Sequence, residues 1–393
     1  MIDATEARRV MVIARAASVV ALIGAATACD SVSRPPVPDS AVTTAALSVD
    51  TIASGLDVPW ALGFAPDGRI FVTERTGRIR VIENGALRAE PWATLPVAAE
   101  GEAGLMGLAL APDFTESREL FVVGTFEQGG TLVNRLMRFT DEGGMGVRPM
   151  VILDGIPAAV FHAGDALAFG PDSMLYVATG DARDPSAAQD ERSLGGKVLR
   201  MRRDGTAPDD NPVRGSLVYA SGVRNSQGLT WSPTTGQAFA TDHGPSGFPN
   251  EYFRRDRDEL NAISPGGNYG WATVAGMSRR GRFVSPLVEW SNPGIAPSGS
   301  AAYTGSYRPW TGSVFIAALK GEQLRRVQLA RDSASRAGWR AVSDERLFTG
   351  VFGRLRAVAM GPDGMVYFTT SNRDGRGAAR PGDDHVLRLR VTP

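Results

Sequence analysis

One short pattern of polar and apolar residues, referred to below as the repeated phrase, occurs six times along this chain. A small or apolar residue, a proline and a turn residue precede a brief apolar run with an aromatic residue near its middle. The prolines lie 46 to 76 residues apart, at Pro66, Pro112, Pro171, Pro233, Pro309 and Pro362. The aromatic residues that follow them are Phe71, Phe121, Tyr176, Phe239, Phe315 and Tyr367. Each phrase predicts a turn followed by a β-strand.

The spacing of these copies predicts the architecture. It is typical of four-stranded blades joined by loops of variable length, and no segment shows sustained apolar spacing at the helical period. We therefore predict an all-β fold, a six-bladed β-propeller over residues 48–393. The alternative, a double β-sandwich whose turns recur by chance, is disfavoured by the constant offset of the aromatic residue. The two widest spacings, between Pro171 and Pro309, predict long loops that carry the functional site.

The amino-terminal segment has a different composition. Basic residues precede a run of small and apolar residues at 16–28, which has the length of a secretory signal and is too short to span a bilayer. The tetrapeptide that ends at Cys29, the single cysteine, resembles a lipoprotein cleavage box. We therefore predict a signal peptide over 1–29 and a flexible linker over 30–47. The alternative is an ordinary signal peptide with an incidental cysteine.

These features predict an exported protein, held at the periplasmic face or the cell surface by a lipid on Cys29, with no other membrane contact. Lysine plus arginine and aspartate plus glutamate number 42 each, so the net charge is zero. The absence of a basic excess argues against a nucleic-acid partner. Small molecules or another protein are the expected partners.

The stretch Phe161–Asp181 carries the first candidate chemistry. His162, one of three histidines, precedes a strand pattern, a Gly-Pro-Asp turn and a second strand that ends before Asp181. A strand, a tight turn and a strand can bring these two side chains to the same rim of a sheet. A carboxylate partner holds an imidazole in one tautomer and favours its action as a base. The alternative is that both are structural turn residues.

Four further stretches place polar groups beside predicted strands. Arg224, Asn225 and Gln227 supply a guanidinium and two amides, and the turn after His243 offers the carbonyls of Gly244 and Pro245. The segment from Glu259 to Tyr269 supplies carboxylates and a glycine-rich loop, the oxygen ligands that calcium prefers.

Lys320, Arg354 and Arg356 form a cationic set. Arg354 and Arg356 are two positions apart, so in a strand they share a face. These two could instead be a solvated strand face, and Lys320 a charge at a hairpin tip.

The motifs together resemble one known family. The sequences HxG before FGPD, LYVATGD, GVRN.QGL, HGP, DELN…GGNYGW and RLRAVAMGPDG occur in this order from about Ile52 to the carboxyl terminus. They are similar to the glucose/sorbosone dehydrogenases, soluble quinoproteins that oxidise aldoses with pyrroloquinoline quinone. The resemblance implies an aldose substrate, oxidised at its C1 hydroxyl to a lactone, and a quinone or other carrier that accepts the electrons.

The resemblance also implies roles for individual residues. His162 matches the general base that takes the proton of the anomeric hydroxyl as hydride passes to C5 of the quinone. Asp181 matches the acid that supports it, and Arg224 the arginine that stabilises charge on the cofactor. Asn225 and Gln227 match neighbours in the cofactor pocket.

The remaining matches concern anions and calcium. Lys320, Arg354 and Arg356 match residues that bind the three carboxylates of the cofactor. The carbonyls of Gly244 and Pro245 match those that hold a calcium ion against the quinone. Glu259 and the Tyr269 carbonyl match ligands of a second, structural calcium.

Three departures from the family pattern bear on substrate range and cofactor binding. Glu102 stands where a glutamine often contacts the cofactor or substrate, and its charge would repel the cofactor unless it is paired. Asp165 and Ala166 replace a usual Gly-Arg pair, and the segment 248–257 lengthens the connection after Pro245.

Two other functions stay open from the residues alone. One is a calcium-dependent lactonase on a six-bladed propeller, which needs several carboxylates at one axial metal. The other is a lipid-tethered propeller without catalysis.

Overall fold

The computed structural model describes residues 46–251, 256–278 and 281–392. The predicted signal peptide at 1–29, the lipid site at Cys29 and the linker as far as residue 45 lie outside the described residues. The first strand begins at Ala46, two positions before the predicted start of the propeller. Among the described residues, no helix is long and apolar enough to cross a membrane.

Nearly all the regular structure is β. The first strand and the first blade comprise β1 (Ala46–Ala53), then β2 (Pro59–Phe64), β3 (Ile70–Glu74), β4 (Arg78–Glu83), β5 (Ala86–Leu87) and β6 (Ala93–Thr94). The second blade comprises β7 (Leu105–Leu110), β8 (Glu119–Gln128), β9 (Thr131–Glu142) and β10 (Met145–Pro157). The third comprises β11 (Gly164–Phe169), β12 (Leu175–Thr179), β13 (Lys197–Met201) and β14 (Val218–Ser221).

The fourth blade comprises β15 (Gly228–Trp231), β16 (Ala238–Asp242), β17 (Asp258–Ile263) and β18 (Val288–Trp290). The fifth comprises β19 (Pro297–Ala302), β20 (Ser313–Ala318), β21 (Gln323–Arg331) and β22 (Trp339–Leu347), and the sixth adds β23 (Leu355–Met360), β24 (Val366–Thr370) and β25 (Val386–Thr392). The helical elements of the described chain are α1 (Phe114–Ser117) and two 3₁₀ turns, Pro185–Gln189 and Arg308–Trp310.

The six sheets form the predicted ring. Neighbouring strands within each blade are antiparallel, and the innermost strands β2, β7, β11, β15, β19 and β23 contact one another in this order and back to β2. The sixth blade uses both parts of the chain, since β1 pairs with β25 from Ala46 opposite Thr392 to Ala53 opposite Val386. The all-β, six-bladed propeller is therefore confirmed.

The repeated aromatic residue has the same position in every blade. It lies on the second strand, opposite a small residue of the innermost strand, and it is buried. The pairs are Gly63–Phe71, Ala109–Phe121, Ala168–Tyr176, Thr230–Phe239, Ala301–Phe315 and Ala359–Tyr367. Because the blades converge on the axis, a large ring fits only beside a small neighbour. The constant offset in the sequence thus reflects packing between blades.

The aspartate of the repeated turn closes that turn with its side chain. Asp172 Oδ1 accepts a hydrogen bond from the Met174 amide at 3.1 Å, and Oδ2 accepts the Tyr176 hydroxyl at 2.9 Å. Asp363 makes the same two kinds of contact in the sixth blade. A short carboxylate that bonds the backbone two residues ahead favours such turns, so the phrase specifies both the turn and the packing of its aromatic ring.

Candidate active site

His162 and Asp181 meet at one end of the third blade. In the β11–β12 pair Gly164 lies opposite Thr179, so the residues just before β11 and just after β12 are neighbours. His162 Nδ1 lies 2.8 Å from Asp181 Oδ1, and both side chains are buried. This approach requires Gly180, because a Cβ atom there would lie 1.8 Å from the His162 carbonyl oxygen.

The carboxylate of Asp181 is fixed by three donors. Besides His162 it accepts the Trp271 indole N–H at 2.7 Å on Oδ2 and the Arg183 amide at 2.8 Å on Oδ1. A carboxylate only accepts hydrogen bonds, so the proton of the neutral imidazole is on Nδ1 and the lone pair is on Nε2. His162 thus has the tautomer of a general base.

Arg224 lies on the other edge of the imidazole ring. Its Nη2 atom is 2.7 Å from His162 Nε2, and a guanidinium only donates, which requires the same tautomer. The backbone around it bridges two blades, since the Asp181 amide donates to the Arg224 carbonyl at 2.7 Å and Gly180 pairs with Asn225. The Arg224 side chain is 2% exposed.

The charge of Arg224 is balanced by Glu251, which the sequence analysis missed. Arg224 Nε donates to Glu251 Oε1 at 2.7 Å, and the glutamate side chain is 1% exposed. A buried ion pair needs such direct contact to offset the loss of hydration. No local pattern marks Glu251, because it lies in the irregular connection after β16.

Glu102, the departure from the family pattern, is paired in the structure. Its Oε2 atom accepts the His162 amide at 2.9 Å and the Asn225 side-chain amide at 3.0 Å, and its Oε1 atom lies 3.4 Å from Arg376 Nη1. Burial opposes ionisation of this carboxyl, but the adjacent His243 and His162, the hydrogen bond from the His162 amide and the Arg376 guanidinium hold its pKa below the ordinary value. Glu102 therefore orients the backbone of His162.

Arg354 and Arg356 share one carboxylate. Arg354 Nε donates to Asp374 Oδ2 at 2.8 Å, and Arg356 Nη2 lies 3.4 Å from the same atom. Asp374 was not predicted, and its contacts depend on a loop that no sequence pattern marks. Arg354 precedes β23 and Arg356 lies within it, and their contact with one carboxylate agrees with the prediction that they act as a pair.

Arg356 also connects the sixth blade with two other blades. Its guanidinium carbon lies 3.9 Å from the centre of the Trp60 ring, and Nη1 lies 3.4 Å from Gln227 Oε1. Burial lowers the pKa of Arg356 to about 10, with Asp374 opposing that shift, so the side chain stays charged at neutral pH.

Lys320 stands apart from this cationic pair. It lies in the turn between β20 and β21, its side chain is 53% exposed, and it forms an ion pair with Asp256. This is the placement expected of a hairpin-tip charge. The described contacts do not join it to Arg354 or Arg356.

His243 is buried within the site, although no motif in the sequence gives it a catalytic or binding role. Burial lowers the pKa of His243 to about 3, with Glu102 opposing and Arg224 and Arg356 adding to the shift, so the ring is neutral. Its amide donates to the Asn225 carbonyl at 3.2 Å, and its own carbonyl accepts from Arg224 Nη1 at 3.1 Å.

The site offers buried polar atoms to a ligand. Within the described residues, the buried side-chain nitrogens without a hydrogen-bond partner include Gln227 Nε2, His243 Nε2 and Arg75 Nε. Such atoms are costly unless a ligand or water satisfies them. Together with the buried guanidinium of Arg356, they fit a planar ligand that carries several anionic and carbonyl oxygens.

The four predicted calcium residues line one small cavity. Gly244, Pro245, Glu259 and Tyr269 surround a space of about 10 Å³ beside Asp242, close to the size of one water or ion. No group of three or more histidine, cysteine, aspartate or glutamate side chains in the described part of the chain is arranged to hold a metal. The predicted calcium ligands are mainly backbone carbonyls, so they do not require such a cluster of side chains.

The electrostatics of this cavity favour a cation. Burial raises the pKa of Asp242 to about 7, and burial together with Asp242 raises the pKa of Glu259 to about 8. Asn261, whose amide nitrogen donates to Glu259 Oε2 at 2.9 Å, keeps its own Oδ1 atom buried without a partner. A bound cation would favour the ionised forms of Asp242 and Glu259, so these residues fit calcium even though Arg224 and Arg257 also line the cavity.

A buried lysine holds the backbone segment that contacts Trp271, the partner of Asp181. Lys197, at the start of β13, is fully buried and donates to the carbonyls of Ala187, Ala188 and Gly195 at 2.6, 3.2 and 2.8 Å. Gln189, in the segment so held, donates to the carbonyl of Trp271. Lys197 thus helps to position the indole that bonds Asp181.

Several known proteins resemble this chain over most of its length. The family model described as Glucose / Sorbosone dehydrogenase matches residues 56–380. The aldose sugar dehydrogenase YliI of Escherichia coli is 30% identical over 84% of this chain and 92% of its own length.

Two solved structures are also similar. A candidate oxidoreductase (glucose dehydrogenase) from Thermus thermophilus is 45% identical, with a TM-score of 0.80 over 88% of this chain and 100% of that one. The PQQ-bound aldose sugar dehydrogenase from Streptomyces coelicolor is 36% identical, with a TM-score of 0.77 over 90% of this chain and 100% of that one. The chain therefore belongs to the glucose/sorbosone dehydrogenase family.

Proposed function

We propose that this protein is a quinoprotein that oxidises the C1 hydroxyl of aldoses to lactones. The observation that carries the proposal is the position of His162, with Nδ1 bonded to Asp181 and the Nε2 lone pair beside Arg224. Membership of the sugar dehydrogenase family supports the same chemistry.

Separate residues accept the substrate proton and stabilise the charges that develop. His162 Nε2 takes the proton of the C1 hydroxyl, and Asp181 stabilises the imidazolium that forms. Arg224, which lies 2.7 Å from that nitrogen, stabilises negative charge that develops nearby. Pyrroloquinoline quinone, when bound, supplies the two-electron acceptor for the hydride that leaves C1.

The cofactor would be held by residues around the axis. Arg354 and Arg356 supply cations for its carboxylates, while Arg224, Asn225 and Gln227 supply donors for its ring oxygens. Lys320 can take part if it exchanges its bond to Asp256 for one to the cofactor. Glu102 faces the same pocket, with its charge already paired.

Calcium completes the proposed site. The resemblance implies two ions, but Gly244, Pro245, Glu259 and Tyr269 line one cavity with room for a single ion, so these four residues would hold one calcium ion beside Asp242. The raised pKa values of Asp242 and Glu259 support a cation there.

We further propose that residues 1–29 are a signal peptide, that Cys29 carries a lipid, and that residues 30–45, the part of the predicted linker that precedes β1, tether the propeller in the periplasm or at the cell surface. A membrane quinone or another carrier would then remove the electrons.

Reconstitution tests the proposal. The apoprotein is mixed with pyrroloquinoline quinone, calcium or both, and dye reduction by a panel of aldoses is followed. Reduction that needs both additions supports the dehydrogenase. Lactone hydrolysis with calcium alone would instead identify a lactonase, and no activity with either would identify a propeller without catalysis.

A further inference from the structure

The segment Ser246–Glu251, which follows β16, covers the imidazole of His162. The Phe248 ring lies edge-on to that imidazole with 5.3 Å between ring centres, and His162 is 4% exposed. Phe248 also stacks on Phe161, at 6.0 Å and an angle of 27°. Both phenyl rings are themselves half-buried. They form an aromatic pair at the entrance to the base.

One carboxylate holds this segment closed. Glu251 Oε2 accepts the amides of Ser246, Gly247 and Phe248 at 2.9, 2.8 and 3.1 Å. Its other oxygen, Oε1, accepts Arg224 Nε at 2.7 Å. The same side chain therefore fixes the loop that carries Phe248 and the guanidinium that faces His162.

This sharing couples the two groups physically. The side chains of Glu251 and Arg224 are 1% and 2% exposed, and a buried charge that loses its partner is strongly unfavourable. If the loop opened with Glu251 attached, Arg224 would lose its compensating charge. Closure of the loop and alignment of Arg224 therefore occur together.

The aromatic pair has a guanidinium at each side. Arg183 lies 4.1 Å over Phe248, and its Nε atom is buried without a hydrogen-bond partner. Arg376 lies 5.1 Å over Phe161. Ala182 and Arg183 both have positive φ, 52° and 64°, a strain that proteins keep mainly at functional positions.

A guanidinium lies over each ring, so a sugar ring would take the place of Arg183 over Phe248 or of Arg376 over Phe161. The C–H face of a sugar ring packs on an aromatic surface, and its hydroxyls accept from guanidinium groups. We propose that Phe248 and Phe161 form the subsite for the aldose ring, and that Glu251 is a positioning residue that couples closure of this subsite to the alignment of Arg224. The inference rests on the proposed function for the identity of the sugar.

The subsite is tested with Phe248→Ala. Loss of the packing surface should raise the KM for aldoses about tenfold and change kcat less than threefold, and Phe248→Tyr should restore the wild-type KM. Tyr307→Ala, which removes a half-buried aromatic ring from the fifth blade, is the matched control and should leave KM unchanged. An unchanged KM in Phe248→Ala would overturn the subsite.

A readout without cofactor keeps this test separate from the proposed activity. Saturation-transfer NMR should detect aldose binding to the wild-type apoprotein and a loss of that signal in Phe248→Ala. Equal signals in the two proteins, or none in the wild type, would overturn the subsite. If binding is seen but the reconstituted wild type oxidises no aldose, the proposed activity fails and the subsite stands.

The coupling is tested with two substitutions of Glu251. In Glu251→Ala the amides of 246–248 should exchange with deuterium at least tenfold faster in the apoprotein, and kcat should fall. Glu251→Gln keeps an oxygen for these amides but loses the charge that aligns Arg224. It should therefore restore slow exchange without restoring kcat. Recovery of both by glutamine would show that Glu251 only anchors the loop, and unchanged exchange in Glu251→Ala would refute the clamp.

Discussion

Arg224 Nη2 donates a hydrogen bond to His162 Nε2 across 2.7 Å. That nitrogen is the atom that must receive a proton in the proposed reaction. A substrate hydroxyl that bonds this lone pair must replace the contact from Nη2, because one lone pair accepts one strong hydrogen bond, while Nε and Nη1 can keep their bonds to Glu251 and to the His243 carbonyl. The arginine therefore occupies this nitrogen while no sugar is present.

The His162–Asp181 pair is expected to be essential for turnover. His162→Ala should abolish dye reduction, and Asp181→Asn should lower kcat by about 10²- to 10⁴-fold. In Asp181→Asn the side-chain NH₂ group replaces one of the two oxygens and must face a donor, either Trp271 Nε1 or His162 Nδ1. Two donors cannot bond each other, so the imidazole loses its orientation. Steady-state kinetics on the reconstituted enzyme measure both effects.

Cofactor titration supplies the control for these two variants. Each should bind pyrroloquinoline quinone with an affinity within about threefold of the wild type. Near wild-type dye reduction by His162→Ala would show that another group is the base.

The arginine pair is expected to determine cofactor affinity. Arg356→Ala or Arg354→Ala should weaken pyrroloquinoline quinone binding about tenfold or more, since a charge-assisted contact contributes about 1.5 to 3 kcal/mol. Lys320→Ala should weaken it less, because Lys320 is half-exposed and already paired with Asp256. Fluorescence quenching during cofactor titration measures these affinities.

A matched control removes an arginine from the outer part of the same blade. Arg388 lies on β25 and pairs with Asp50, so Arg388→Ala should leave cofactor affinity unchanged. Equal affinity in wild type and Arg356→Ala would place the cofactor carboxylates elsewhere.

Calcium is expected to stabilise the apoprotein, more so at higher pH. The folded-state pKa of Glu259, about 8, is raised above its unfolded value, so apoprotein stability falls as pH rises towards 8. Calcium requires the ionised carboxylate and offsets that loss. At 100 times its dissociation constant it should add about 2.7 kcal/mol. Melting curves with calcium or chelator between pH 6 and 9 test this.

Glu259→Gln isolates the contribution of that carboxylate. It keeps an acceptor for the Gly276 amide, now at 2.7 Å, but removes the charge, so the gain from calcium should largely disappear. Glu119→Gln, in the second blade, should respond like the wild type. A full calcium effect in Glu259→Gln would remove Glu259 from the ligand set.

Lys197 is expected to give the stability of the fold a pH dependence of the opposite sign. Burial lowers its pKa from 10.5 to about 8 in the folded state. Between these values the unfolded chain binds one more proton, so stability rises with pH. Lys197→Met should lose this rise, which is on the order of 1 to 3 kcal/mol. Urea unfolding at pH 7.5, 9 and 10 measures the difference.

The sequence makes this comparison simple, because the chain has two lysines. The other, Lys320, is half-exposed, and Lys320→Met should retain the wild-type slope. A wild-type slope in Lys197→Met as well would mean that Lys197 does not carry the effect.

The fold was predictable because packing repeats in the sequence. Each blade needs a tight turn and an aromatic residue opposite a small one, so the same local phrase marks all six sheets. The pairing of His162 with Asp181 followed from the third copy, since an antiparallel hairpin brings its two ends together.

The rest of the site depends on which loops meet at the axis. Glu251 and Asp374 lie in irregular segments, and nothing local indicates that they pair with Arg224 and with Arg354 and Arg356. The loops between Pro171 and Pro309 carry Arg224, as expected, yet Glu102 and Arg356 come from other blades. Every blade converges on the axis, so any blade can contribute.

His243 shows a further limit of reasoning from the sequence. It stands beside Gly-Pro without a motif that indicates a role, and only its burial near Glu102, Arg224 and Arg356 places it in the pocket. Its environment is set by three segments distant in the chain.

The union of β1 with β25 affects how the molecule is made. β1 is made before every other strand of the propeller, and its partner β25 is made after all of them. Until β25 has been made, β1 has no partner strand and the ring stays open, so the ring closes only after the last strand of the propeller has been synthesised. A chain without β1 or without β25 would lack the strand pairing that closes the ring.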